Sequence, residues 1–355
     1  MMERDFGRLF MVGFYGSAFC PELQSFLDAL NPAGVILFSR NILEPRQVAE
    51  LNFSIQQFSI EKLGRPLLIG VDQEGGRVKR LTSAFSEFPP VMTIAESEFP
   101  EEAIRRFAET TARELSLVGF NLDFVPVLDV LGEGIDTKNT VIGDRSFGPD
   151  PIQVANLGTV LIRAMRSEGI LTCGKHFPGH GGIAVDSHLD LPIDSRPSSV
   201  IMERDIFPFI KAIEAGTDMI MTAHVVFPAF DETYPASLSP TLIDDVLRQE
   251  LKFHGLVVTD DLDMGAISKH YRPEEAALLA YQAGTDIMLI CNSPETAFTA
   301  RQHVYESTKD GPLAKMRFNR TITATESLFS NLCKAHESCD LTKVANYFSA
   351  SSINS

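Results

Sequence analysis

The stretches EAGTDMIMTAH (214–224) and QAGTDIMLICN (282–292) are near copies of each other, and their shared pattern decides how the rest of the chain is read. Each closes a helical pattern at a glycine, crosses Thr-Asp, enters a short apolar run and finishes on a polar side chain, His224 or Asn292. Glycine suits the left-handed position just past a helix, and a short apolar run bounded by turn residues reads as a buried strand. The same junction recurs at Gly34, Gly64, Gly119, Gly169 and Gly255, which with Gly216 and Gly284 makes seven; the opening run 10–15 supplies an eighth strand. Strands that alternate with helices form a parallel sheet, and recurrence of one unit points to a repeated supersecondary block. Eight such blocks predict a single-domain α/β fold, the (β/α)8 TIM-type barrel. No GxGxxG follows any strand, so a dinucleotide-binding open sheet has no support, and a wound sheet of eight strands is the remaining alternative. The barrel is expected over 1–330. Residues 331–355 read as a C-terminal surface helix and a polar tail ending Ser-Ala-Ser-Ser-Ile-Asn-Ser.

Composition agrees with an enzyme-sized globular chain. Of 355 residues, 44% are apolar, enough to bury a large core, and Gly and Pro stay at ordinary levels. Lys and Arg number 31 against 47 Asp and Glu, a formal charge of −16 with no basic run, which argues against a nucleic-acid groove. No window approaches the roughly 20 apolar residues that a membrane-spanning helix needs. The N-terminus, with Glu3 and Asp5 ahead of a short apolar stretch, lacks the cationic start of a secretory signal. The five cysteines are odd in number, and Cys173 and Cys291 sit in apolar runs, so a cytoplasmic protein with reduced thiols is expected. Cys333, His336 and Cys339 cluster without a second pair of ligands at zinc spacing, and no metal is expected there.

The helix-to-strand links are short, whereas three strand-to-helix links, 73–100, 131–151 and 177–198, are long. Active sites of (β/α)8 barrels are built from such loops at the strand C-terminal face. Polar groups gather at that same end: Asp72, Asp129, Lys175, His176, His224, Asp260, Asp261 and Asn292 each follow an apolar run. Charges at the mouth of an apolar barrel need partners or a ligand.

Three segments carry the chemistry. Lys175-His-Phe-Pro-Gly-His-Gly181 offers two donors and then a glycine-rich loop, and Asp186-Ser-His188 sets a carboxylate beside an imidazole, an acid/base device. Leu256-Val-Val-Thr-Asp-Asp-Leu-Asp-Met264 ends a strand on two carboxylates; alternation sends one to the barrel axis and leaves the other structural. Asp263 is expected to cap the short helix that follows. Asp72-Gln-Glu-Gly-Gly-Arg77 through Arg80, and Ile142-Gly-Asp-Arg145, place Arg beside acidic residues in loops suited to polar ligands.

Taken in order, GVDQEGGRVKRL, VIGDRSFG, GKHFPGHG with DSH, MTAH and VVTDDLDM resemble the family 3 glycoside hydrolases, specifically the compact single-domain bacterial β-N-acetylglucosaminidases of peptidoglycan recycling. The resemblance implies a retaining exo-hydrolase that removes terminal GlcNAc from (1,6-anhydro)muropeptides. It implies Asp260 as nucleophile, His188 as general acid/base tuned by Asp186, and Asp72, Arg80, Arg145, Lys175 and His176 as sugar-binding residues. No cofactor or metal is implied, and the expected partner is a GlcNAc-containing oligosaccharide or muropeptide met by a monomer or weak oligomer. Histidine starts near pKa 6.5 and is uncharged after giving up its proton, so phosphate could replace water as acceptor. GlcNAc phosphorolysis and β-glucosidase activity are therefore alternatives on the same fold. Asp260 and Asp261 orienting the substrate's own acetamido group is a further variant. From other classes come a metal-dependent hydrolase using His176, His180, His188 and Asp186, and a non-catalytic sugar-binding module.

Overall fold

The computed structural model describes residues 2–82, 84–132, 134, 140–183, 190–332 and 340–351. Its strands are β1 (Phe10–Val12), β2 (Gly34–Ile36), β3 (Leu68–Val71), β4 (Leu122–Asp123), β5 (Leu171–Phe177), β6 (Met219–Thr222), β7 (Val226–Phe227), β8 (Asp231–Pro235), β9 (Leu256–Asp261) and β10 (Ile287–Ile290). Eight of them close in the order β1-β10-β9-β6-β5-β4-β3-β2, every pairing parallel, while β7 and β8 form an antiparallel hairpin inserted after β6. Because β1 pairs with both β2 and β10, the sheet is a barrel and the wound-sheet alternative falls.

Surrounding helices start where proline is tolerated best, at the first turn, where its missing N–H would have no partner anyway: Pro21–Leu30, Pro45–Phe58, Pro100–Leu117, Pro151–Ser167, Pro273–Ala283 and Pro294–Thr308. Five junction glycines, Gly64, Gly119, Gly169, Gly216 and Gly284, do hold positive φ at helix ends. Gly34 and Gly255 do not, which corrects the reading of them as left-handed caps. Asn31 (φ 57°) and Lys252 (φ 56°) turn the chain there instead. These two glycines serve close approach: a Cβ at Gly34 would sit 2.4 Å from the Leu68 carbonyl oxygen, and one at Gly255 2.4 Å from that of Asp218.

Strand alternation splits the core. Met11, Leu68, Leu122, Phe124, Leu171, Met219, Leu256 and Leu289 fill the barrel, and a larger shell packs strands against helices. Phe329 of helix Pro312–Leu332 joins the inner cluster, and Arg320 and Thr321 of that helix bind Asp286 just before β10. That end is therefore sealed, and the opposite end, at the strand C-termini, is left for a ligand. The last described helix, Leu341–Ser351, lays Val344 and Phe348 into the outer core. Among the described residues no helix is long and apolar enough to cross a membrane.

Candidate active site

A cavity of about 450 Å³ opens at the C-terminal ends of the strands. It brings together Asp72, Arg80, Arg145, Lys175, His176 and Asp260, contributed by segments far apart in the chain, with Glu74, His180, Asp261 and Asn292 beside them. Asp186 and His188 lie outside the described residues, as do Cys333, His336 and Cys339.

The segment leaving β3 sorts its side chains by alternation. Asp72 and Glu74 face the cavity, and Gln73 between them turns away, its amide oxygen accepting from the backbone N–H of Arg80 (2.9 Å) and Leu81 (3.1 Å). Lys175 Nζ stands 2.7 Å from Asp72 Oδ1 and 2.6 Å from Glu74 Oε1. Arg145 grips Glu74 with its fork, Nε at 2.7 Å and Nη2 at 2.9 Å. Burial pushes the Glu74 carboxyl up, but Arg145 and Lys175 outweigh it and hold it well below the usual carboxylate range. Burial likewise works against the Lys175 cation, and Asp72 and Glu74 overcome it, pushing the ammonium up. Arg80 is less occupied. Its Nη2 is 3.5 Å from Asp72 Oδ2 and its buried Nε has no partner among the described residues, leaving donor capacity for a ligand. Arg77 instead joins two loops, donating to Asp144 and to the carbonyls of Thr140, Val141 and Ile142.

In β5 the register against β6 shifts between Gly174 and Phe177, and this irregularity lets Lys175 and His176 both line the cavity. His176 Nδ1 lies 2.7 Å from Asp129 Oδ2. The other oxygen of Asp129 accepts from the backbone N–H of His176 (3.2 Å) and His180 (2.6 Å). Asp129 is fully buried, yet His176 and His180 hold its carboxyl below the usual range against the burial. With Nδ1–H donated to this carboxylate, His176 presents Nε2 for a ligand. Burial drives the His180 imidazole down to about 4, so it is neutral near pH 7.

At the tip of β9 both carboxylates line the cavity, but only one is tied into the scaffold. Asp261 Oδ1 accepts from the backbone N–H of Cys291 and of Asp263, both at 3.1 Å, and burial with Asp263 nearby pushes its carboxyl up to about 7. Among the described residues, Asp260 accepts from the Asp261 N–H at 2.8 Å. Burial raises the Asp260 carboxyl, but His176, His224, that N–H and Lys175 together bring it below the ordinary value, so it is ionised. Asp263 does not cap the short helix Gly265–Ser268 as expected; Oδ2 accepts from the N–H of Asn292 (2.8 Å) and Ser293 (3.2 Å), fastening the β9 loop to the β10 loop. His224 stands behind the site, Nδ1 on Ser237 Oγ (2.8 Å) and Nε2 on the Asp261 carbonyl (3.0 Å).

Sequence reasoning had not singled out Glu74, although its place two residues beyond Asp72 along an extended segment put it on the same face. The pairing of Asp129 with His176, 47 positions on, had no local signal.

The chain is similar over nearly its whole length to proteins of one family. Residues 1–327 match the glycosyl hydrolase family 3 N-terminal domain. A β-hexosaminidase from Nitrosomonas eutropha is 38% identical over 323 residues, spanning 88% of this chain and 90% of that protein. A family 3 β-N-acetylglucosaminidase from Paenibacillus sp. superposes with a TM-score of 0.88 at 35% identity, over 94% of this chain and 63% of that longer one. NagZ from Neisseria gonorrhoeae, solved with N-trifluoroacetyl-D-glucosamine, gives 0.76 at 30% identity with 97% of each chain covered.

Proposed function

We propose, because this chain belongs to glycosyl hydrolase family 3 and is a glycosidase of the β-hexosaminidase kind, that it removes terminal non-reducing GlcNAc from (1,6-anhydro)muropeptides by a two-step retaining mechanism. The observation that carries this reading is Asp260: an ionised carboxylate at a strand tip, beside Lys175 and His176, in a polar cavity. In the first step Asp260 attacks the anomeric carbon and forms a glycosyl-aspartate while His188, oriented by Asp186, protonates the departing oxygen. In the second, His188 takes a proton from water, which displaces Asp260. Asp72, Arg80, Arg145, Lys175 and His176 hold the sugar hydroxyls, and the Glu74 hub fixes Lys175 and Arg145 before substrate arrives, so no reorganisation is required at the moment of reaction. A cavity blind at one end suits exo action on one terminal sugar. The free thiols of Cys20, Cys173 and Cys291 suit a reducing cytoplasm.

Phosphorolysis is the second reading, and the charge balance weighs against it. Among the described residues Lys175 and Arg145 are already committed to Asp72 and Glu74, so a phosphate dianion would meet carboxylates with Arg80 as the cation holding spare donors. The deciding experiment uses 4-nitrophenyl β-GlcNAc with and without phosphate. Asp260→Ala is expected to abolish turnover, a 2-fluoro sugar to leave its adduct mass on the Asp260 peptide, and GlcNAc rather than GlcNAc-1-phosphate to be the product. Undiminished turnover by the variant defeats the nucleophile assignment. An unmodified Asp260 peptide in a slowed, otherwise active enzyme points to the substrate's acetamido group, and GlcNAc-1-phosphate as main product reverses the choice of acceptor.

A further inference from the structure

The match to the family domain ends at residue 327, yet the chain goes on to build the helix Leu341–Ser351. We propose that this helix is a positioning element for substrate binding: through Phe348 and Tyr347 it clamps the loop that follows β3 and so fixes Asp72 and Arg80 in the cavity. The proposal rests on the reading above in that it takes those two residues to hold the sugar.

The contacts run in a short series. Phe348 meets Phe85 edge to face, ring centroids 4.8 Å apart, and both rings are buried with Val344 in the outer core. The next residue, Ser86, is held by Glu114 of the barrel helix Pro100–Leu117: the carboxylate accepts from the Ser86 N–H at 3.0 Å and from its hydroxyl at 2.7 Å. Tyr347 completes the junction, its hydroxyl 3.5 Å from the same carboxylate. Glu114 is thus a buried acid shared by a barrel helix, a substrate loop and the C-terminal helix. From Phe85 and Ser86 the chain needs only a few residues to reach Leu81 and Arg80, whose backbone N–H groups are held by the Gln73 side chain next to Asp72. On the far side of the clamp, the Gly76 N–H donates to the Phe88 carbonyl at 3.0 Å, folding the loop onto itself.

Apart from the Gln73 grip, other holds on this loop among the described residues lie to either side of 80–86: Arg77 on the loop after β4, Lys79 on Glu87 at 3.0 Å, and Phe88 edge-on to Phe107 with centroids 5.0 Å apart. Among the described residues between β3 and the short helix Val91–Ala95 it contains no helix and no strand beyond the single Gly75–Val78 bridge, so its shape depends largely on side-chain anchors. Binding groups must be held to within about half an ångström of the productive geometry, and loops meet that demand only when something rigid stands behind them. The C-terminal helix, packed on one side against helix Pro45–Phe58, is that support. Asp260, on β9, receives no support from it. Disturbing the clamp is therefore expected to weaken substrate binding much more than the chemical step.

The test uses the full chain. In Phe348→Ala, KM for 4-nitrophenyl β-GlcNAc is expected to rise about fivefold or more with kcat within about twofold, and hydrogen exchange of the Gly76, Arg80 and Leu81 amides to accelerate. Phe348→Leu, which refills the volume, should return both to near wild type. Glu114→Gln keeps the fold's shape while weakening the Ser86 and Tyr347 contacts, and should move KM and exchange in the same direction; it serves if Phe348→Ala fails to fold. Phe298→Ala, which removes a comparable ring contact with Phe26 elsewhere, is the stability control and should leave KM unchanged. Exchange at those amides unchanged in Phe348→Ala and Glu114→Gln, or KM rising equally in Phe298→Ala, overturns the proposal. The exchange readout needs no turnover, so it stands or falls separately from the glycosidase assignment.

Discussion

Asp123 is a buried carboxyl for which burial outweighs every group that would lower it. It lies at the end of β4, fully buried; Oδ1 accepts from the Gln73 N–H at 2.9 Å, and Oδ2 has no partner among the described residues. Burial dominates and pushes the group up to about 8 from an ordinary 3.8. The folded state therefore binds this proton more tightly than the unfolded chain does. Its contribution to stability is complete below about pH 4 and is lost progressively as pH rises through about 8. At 1.36 kcal/mol per unit this amounts to something on the order of a few kcal/mol. Thermal unfolding at pH 5 and pH 8.5 checks it: Asp123→Asn should flatten the decline seen in the parent protein, and parallel curves would count against an ionisable Asp123. Of the site residues named from sequence, Asp72, Lys175, His176 and Asp260 share one trait that made them legible, ending apolar runs at the same barrel face, whereas Arg80, Arg145, Asp186 and His188 were named from loop motifs. Glu74, and the pairing of Asp129 with His176, were harder to see because their meaning lies in partners that only the closed fold delivers.

At the scale of elements, the loop beyond β5 shows how a glycine earns its place. Gly179 has φ +141°, and a Cβ there would lie 2.7 Å from the Cβ of Asp205, which is itself fixed by Arg196 at 3.0 Å. Gly179→Ala must displace the loop, and with it His180, whose N–H is bound to Asp129. The expected outcome is a drop in kcat/KM of about 10-fold or more, since displacements of an ångström cost up to about 100-fold. Steady-state kinetics on the aryl glycoside would show it, and wild-type kcat/KM would mean that the loop tolerates the shift. Elements were read well wherever a helix ended at a left-handed glycine. The exceptions, Gly34 and Gly255, are informative because sequence cannot distinguish a glycine required for its φ from one required for lack of a side chain. The insertion of β7 and β8 after β6 also escaped notice, because DETYP at 231–235 opens on three polar residues, exposed at Glu232 and Thr233, and shows no apolar alternation to announce a strand.

For the molecule as a whole, the segment Glu3–Leu9 ahead of the barrel acts as a fastener between the chain's two ends. Phe6 is fully buried, stacked on Phe318 at 5.1 Å with Tyr281 and Tyr305 edge-on at 6.2 and 5.4 Å. Phe6→Ala leaves a cavity among rigid rings and is expected to cost about 3–5 kcal/mol, measurable by urea unfolding. Because the active cavity lies at other residues, kcat and KM of the folded fraction should not change. The pairing of β1 with β10 has a further effect during synthesis. Phe10, Met11 and Val12 align with Met288, Leu289 and Ile290, so the first strand made waits for nearly the last barrel segment before it gains its second neighbour. At about 5–20 residues per second on the ribosome, that interval runs to tens of seconds. Throughout it, a nascent ring stands open with apolar edges unpaired, and the burden of keeping it from sticking to its neighbours falls on the cell's chaperones.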